Sequence, residues 1–166
     1  MLKSILSTLI LLCVLTTVQV QAQEKFSKDE MAIMQVIENE SKYFWARDFK
    51  QWKKTWVHEP YVVWTAASQD GVRRYEGWDS WLAEVEGLFS GSPEPIPYEG
   101  DVKKYDYQFR IYNKGAWVSF TQENLGTKTI ETRIMEKKGG KWKIAMVQLI
   151  FDVNQPVGTV ENNSDN

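Results

Sequence analysis

Apolar residues recur along the chain with two periods, one near 3.6 and one of 2, and the switches between them mark the elements. "FSKDEM" opens the first helix. Ser27 stands at the N-cap with Glu30 three residues on, a capping box, and Phe26 and Met31 are spaced to staple across it. Ile33, Met34, Ile37, Tyr43, Phe44 and Trp45 follow on a helical stripe, predicting a helix over Lys28 to Arg47. Asp48 caps a short second helix carrying Phe49, Trp52 and Trp56 on one side. Pro60 ends that segment, since the residue before a proline avoids the helical region. "YVVWTA" reads as a strand, "QDG" as a hairpin turn and "VRRYE" as the returning strand. "WDSWLAEVEGLF" returns to helical spacing, and "SGSPEPIPYEG" is an irregular connection. Four strands then alternate to the end: "VKKYDYQFRIYN", "AWVSFTQENL", "TKTIETRIMEK" and "KWKIAMVQLIFDV". The order α-α-β-β-α-β-β-β-β predicts an α+β domain with helices against one face of a mostly antiparallel sheet.

The last two strands raise a chemical question. Side chains alternate between faces, so Glu131 and Arg133 share one face of their strand. Across an even-length turn at Gly139-Gly140, that face is predicted to continue into Trp142, Ile144, Met146 and Gln148. The opposite face then carries Ile130, Ile134, Ala145, Val147, Leu149 and Phe151. A sheet apolar on both sides is covered on both sides. With helices on one, a second copy of the chain is expected on the other, giving a homodimer through the sheet.

The ends bound the domain. Lys3, the apolar run Ile5 to Val20 and the small-x-small stretch Val20-Gln21-Ala22 read as a signal peptide over residues 1–22. An uncleaved anchor and a lipoprotein leader built on Cys13 are the alternatives. Residues 23–153 form the domain, and the polar stretch 154–166 is expected to be a disordered tail. Cleavage removes Cys13, the one cysteine, so disulfides, thiolate nucleophiles and cysteine metal ligands leave with it. It also removes Lys3, leaving 19 Lys and Arg against 22 Asp and Glu. That balance argues against a general nucleic-acid or anionic-membrane binder. An exported protein without disulfides, periplasmic or secreted from a bacterium, is the expected setting.

Motifs for cofactor chemistry are missing. There is no GxGxxG, Walker loop or GxSxG, and the one histidine, His58, has no HExxH or His-x-His spacing around it. No cofactor and no metal site is expected. His58 is the natural proton-transfer residue near neutral pH, and Glu131 is a possible base if apolar neighbours favour its protonated form. For Arg133 two readings stand side by side: a pocket cation for a carboxylate, and a structural ion pair with Glu131. Most of the eight Trp sit at core spacings, while Trp64 and Trp117 stand on strands.

The element order, with a short aromatic helix after the first, resembles the nuclear-transport-factor-2-like superfamily and its SnoaL-like branch. "ETRIMEKKGGKWKIAMVQ" resembles the closing hairpin of the calcium/calmodulin-dependent protein kinase II association domain, "AWVSFTQ" the strand before it, and "RDFKQWKKTW" the second helix. The resemblance spans Glu30 to Asp152. It implies a cone: a strongly curved, mostly antiparallel sheet wrapped around three helices, with a cavity at the open end. By the same resemblance Arg133 lines that cavity and meets small carboxylates. Two positions depart from the pattern. Met146 and Gln148 stand where relatives have His-x-His, and Ser119 where the association domain has a second Arg. The expected lining is Arg133, Gln148, Thr121, Ser119, Trp117 and Trp64. The expected function is binding of a small ligand, apolar with one polar or carboxylate group. The alternatives are a lyase or isomerase of dehydratase or cyclase type, with His58 or Glu131 as base, and a non-enzymatic assembly module.

Overall fold

The computed structural model describes residues 26–96, 102–124 and 126–152. The leader over 1–22 and the tail over 154–166 lie outside them. Helix α1 runs Lys28–Trp45 and starts as its sequence dictates. Glu30 N–H donates to Ser27 Oγ at 3.3 Å, and Ser27 N–H donates to Glu30 Oε2 at 2.6 Å. The helix stops two residues before the predicted end because Arg47 turns left-handed, with φ 57°. Asp48 then caps α2, Phe49–Lys54, by accepting from Gln51 N–H at 3.0 Å.

Strand β1 is Val63–Ser68, starting two residues later than predicted because Tyr61 sits in a turn and Val62 N–H donates back to Glu59 O at 3.1 Å. Strand β2 is Gly71–Glu76, helix α3 is Trp78–Gly91, and the remaining strands are β3 Val102–Ile111, β4 Gly115–Asn124, β5 Thr127–Lys138 and β6 Lys141–Phe151. The β5–β6 turn needs positive φ at both central residues. Gly139 (57°) and Gly140 (78°) supply it without a Cβ clash.

The six strands form one open sheet in the order β2-β1-β6-β5-β4-β3. Every pairing is antiparallel except β1 with β6. The helices pack on one face. Their stripe of Ile33, Ile37, Trp52, Trp78, Trp81, Val85 and Phe89, with Trp56 just past α2, meets Ala116, Val118, Phe120, Met135, Ile144 and Val147 from the sheet. The end of α2 is laced to β6 by backbone bonds: Val57 N–H to Ile144 O at 2.8 Å and Ile144 N–H to Thr55 O at 2.9 Å. The indole rings form a continuous cluster, with Trp52 stacked on Trp78 at 5.9 Å and Trp64 on Trp81 at 4.8 Å.

One irregularity changes which residues face the core. Ile134 pairs with Met146, but the next residue, Met135, pairs with Ile144, so Ala145 is an extra residue in β6. This β-bulge reverses the alternation along the strand. Trp142 and Ile144 face the helices with Met135, as predicted. Beyond the bulge, Val147 and Leu149 oppose Arg133 and Glu131 on the inner face. Met146 and Gln148 pair with Ile134 and Thr132 and face outward, and Gln148 is exposed. The predicted face sets are therefore corrected: Val147, Leu149 and Phe151 belong inside, and Met146 and Gln148 outside.

Candidate functional site

Three elements bring charge to one point beneath the helices. Alternation on β5 turns Glu131 and Arg133 inward, where their residues are 0% and 3% exposed. From α1, Glu40 falls on the Ile33–Ile37 stripe and is buried beside them. Arg133 then bridges two carboxylates. Its Nε and Nη2 both donate to Glu131 Oε2, at 3.0 and 2.8 Å, and its Nη1 donates to Glu40 Oε2 at 3.1 Å. Trp52 Nε1 donates to the other Glu40 oxygen at 3.0 Å. The guanidinium lies over Phe120, with its carbon 5.5 Å from the ring centre, and Tyr107 stacks on the same ring at 4.9 Å.

The electrostatics follow from this packing. Burial alone would push Arg133 toward its neutral form; the Glu131 and Glu40 carboxylates outweigh it and hold the group charged well above its ordinary range. Burial raises the Tyr107 phenol. Nearby, Lys104 donates to Glu38 at 2.9 Å, and burial draws that ammonium below its usual value against the pull of Glu38.

Beside this cluster is a cavity of about 130 Å³. Glu40, Ser41, Gln122, Glu131 and Arg133 supply its polar wall; Phe44, Trp45, Trp64, Trp81, Val147 and Leu149 supply its apolar one. Among the described residues, four buried side-chain polar atoms have no hydrogen-bond partner: Trp56 Nε1, Trp81 Nε1, Gln122 Oε1 and Glu131 Oε1. Three of those four residues line this cavity. Buried polar groups are nearly always paired, so the concentration of unpaired ones singles out this place. Three larger hollows, of about 560, 510 and 380 Å³, are lined by none of the four.

The predicted site residues divide. The structure brings Arg133, Glu131 and Trp64 to the cavity. It does not bring Trp117, Ser119, Thr121 or Gln148 there. On β4 the inward set is Ala116, Val118, Phe120 and Gln122, so the odd-numbered residues point the other way. Gln148 is outward because of the bulge. His58 is also corrected. It is exposed, donates from Nε2 to Lys53 O at 2.7 Å, stacks on Trp78 at 4.2 Å, and does not line the cavity. Among the cavity residues outside the expected lining are Glu40 and Gln122, and both had a signal. Glu40 stands three residues after Ile37 and seven after Ile33, and Gln122 is in phase with Val118 and Phe120. Arg133 is not free for a ligand in the way the resemblance implies, since three of its N–H groups already serve Glu131 and Glu40.

No family model matches the sequence, and no curated protein matches it. Solved structures do match. A cystatin-like-fold protein of unknown function from Nostoc punctiforme superposes with TM-score 0.57 at 11% identity, over 80% of this chain and 98% of that one. A nuclear-transport-factor-2-like protein of unknown function from Shewanella baltica gives 0.55 at 13% identity, over 75% and 94%. A candidate ketosteroid isomerase from Parabacteroides distasonis gives 0.54 at 12% identity, over 72% and 85%. The domain therefore has the nuclear-transport-factor-2-like fold: an open six-stranded, mostly antiparallel sheet with helices on one face. At these identities the likeness extends to the fold.

Proposed function

We propose that this protein is a small-molecule-binding domain whose cavity takes an organic ligand with an apolar body and one polar group. The observation that carries the reading is the clustering of unpaired buried polar atoms, Glu131 Oε1 and Gln122 Oε1 among them, on residues of an aromatic-walled cavity. A ligand seated there would satisfy atoms that are costly to leave unpaired. The test is thermal stabilisation across a panel of small aromatic and aliphatic compounds, repeated on Gln122→Leu. Compounds that stabilise the parent and not the variant are expected. A panel with no stabilising member refutes the reading and favours a non-enzymatic assembly module.

A second reading, a cofactor-independent lyase or isomerase, is favoured by one observation: Glu131 presents an unpaired carboxylate oxygen beside the cavity, where a general base would stand. The candidate ketosteroid isomerase of like fold makes that chemistry worth assaying. Turnover that survives Glu131→Gln unchanged would remove this base.

The outer sheet face supports a homodimer. Val72, Ala67, Ile150 and Ile130 form a row across four strands, with Val72 68%, Ile150 45% and Ile130 58% exposed. Ile130→Lys is expected to shift the mass by light scattering from dimer to monomer. Export with loss of residues 1–22 is part of the same proposal, checked by the N-terminal sequence of the protein recovered from a native host.

A further inference from the structure

The charge of the cavity wall selects among polar ligands. Arg133 contributes one positive charge; Glu131 and Glu40, both in contact with it, contribute two negative ones, leaving a net charge of −1. Lys104 nearby is paired with Glu38 at 2.9 Å, and that pair adds no net charge. Within the cluster the hydrogen bonds are unevenly spent. Both oxygens of Glu40 accept, from Arg133 and from Trp52. Glu131 Oε2 accepts twice from Arg133, while Glu131 Oε1, on a residue 0% exposed, accepts nothing. Gln122 Oε1 on the neighbouring strand accepts nothing either. The wall therefore has an excess of negative charge, and its unpaired atoms are two acceptors, one of them on a carboxylate, against one donor, Trp81 Nε1.

A carboxylate ligand would add a like charge to this excess and bring no donor. A hydroxyl brings one donor and leaves the charge. An ammonium brings three donors and the missing positive charge. The apolar wall is aromatic, with Phe44, Trp45, Trp64 and Trp81, and ring faces attract a cation. At about 130 Å³ the cavity is of the size that holds a benzene-like ring.

We propose that the cavity is selective for a small organic amine, bound as its ammonium by Glu131 Oε1 and Gln122 Oε1 with its apolar body against Phe44, Trp64 and Trp81. The proposal rests on the ligand-binding reading above and narrows it to a chemical class.

The experiment is calorimetric titration of the purified chain at neutral pH with 2-phenylethylamine, 2-phenylethanol and phenylacetate, which share a ring and differ in head group. The amine is expected to bind at least about tenfold more tightly than the alcohol, as desolvated charge pairs do, and phenylacetate not at all. Glu131→Gln is expected to erase the amine's advantage, so that amine and alcohol bind the variant alike. Near-ultraviolet circular dichroism checks that the variant folds; if it does not, Gln122→Leu is expected to weaken the amine about tenfold by removing one acceptor. Phenylacetate or the alcohol binding as tightly as the amine overturns the selectivity and leaves the cavity a ligand site. Silence from all three overturns the amine proposal, while stabilisation by any member of the wider panel keeps the ligand site.

Discussion

Replacing Arg133 by Met removes the cation and keeps the volume of its stem. The Arg133 side chain is 4% exposed, and its partners Glu131 and Glu40 are 1% and 10% exposed. The two carboxylates are not left equally poor. Glu40 keeps the Trp52 indole, whereas Glu131 has no other partner. Stranding a buried charge by deleting its partner costs about 3–5 kcal/mol, a large part of the roughly 5–15 kcal/mol that holds a domain folded. With a urea slope of about 2 kcal/mol per molar, the unfolding midpoint should fall by roughly 2 M. Tryptophan fluorescence reads it directly, since Trp52, Trp56, Trp78 and Trp81 form the core beside the cluster. Adding Glu131→Leu to Arg133→Met should recover most of the loss, because an apolar replacement for a buried pair is often neutral or better. A single variant within about 0.5 M of the parent, or a double variant less stable than the single, would refute the view that this cluster is desolvated charge.

Three further outcomes follow from the cap and the titrating groups. Ser27→Ala should cost about 1 kcal/mol by urea unfolding, through loss of the α1 capping box. Hydrogen bonds from Lys137 and Trp142 hold the Asp29 carboxyl below its ordinary 3.8, so its stabilisation is present above that pH and lost as pH falls through the folded value. The melting-temperature gap between parent and Asp29→Asn should therefore close on acidification below 3.8. Burial raises Tyr107 above 10.0, so the unfolded chain releases that proton first and stability falls as pH rises past 10.0. Tyr107→Phe should lose less stability than the parent between about pH 10 and 11, measured by denaturant unfolding at each pH.

Much of the scaffold was legible because its signals are local. The capping box, the Asp48 cap, the Gly-Gly turn and the helical stripe through Ile33 and Ile37 each act within a few residues, and each appears where its pattern puts it. The site was legible in part. Glu131 and Arg133 stood out as charges on an apolar strand. Strand parity, read from Ala116, Val118 and Phe120, already excluded Trp117, Ser119 and Thr121 and admitted Gln122, but the family likeness pointed the other way.

What the sequence by itself determined was the set of elements and the shared face of Glu131 and Arg133, since periodicity and caps depend on neighbours in the chain. Two things belonged to the tertiary structure. Ala145 carries no local mark of a bulge; it appears where β6 must pair with β5 while its own Ile144 bonds the end of α2, and it sends Gln148 outward. The meeting of Arg133 with Glu40, 93 residues apart, is likewise a matter of packing. It is that contact which gives the guanidinium a second carboxylate and leaves the cavity wall short of positive charge.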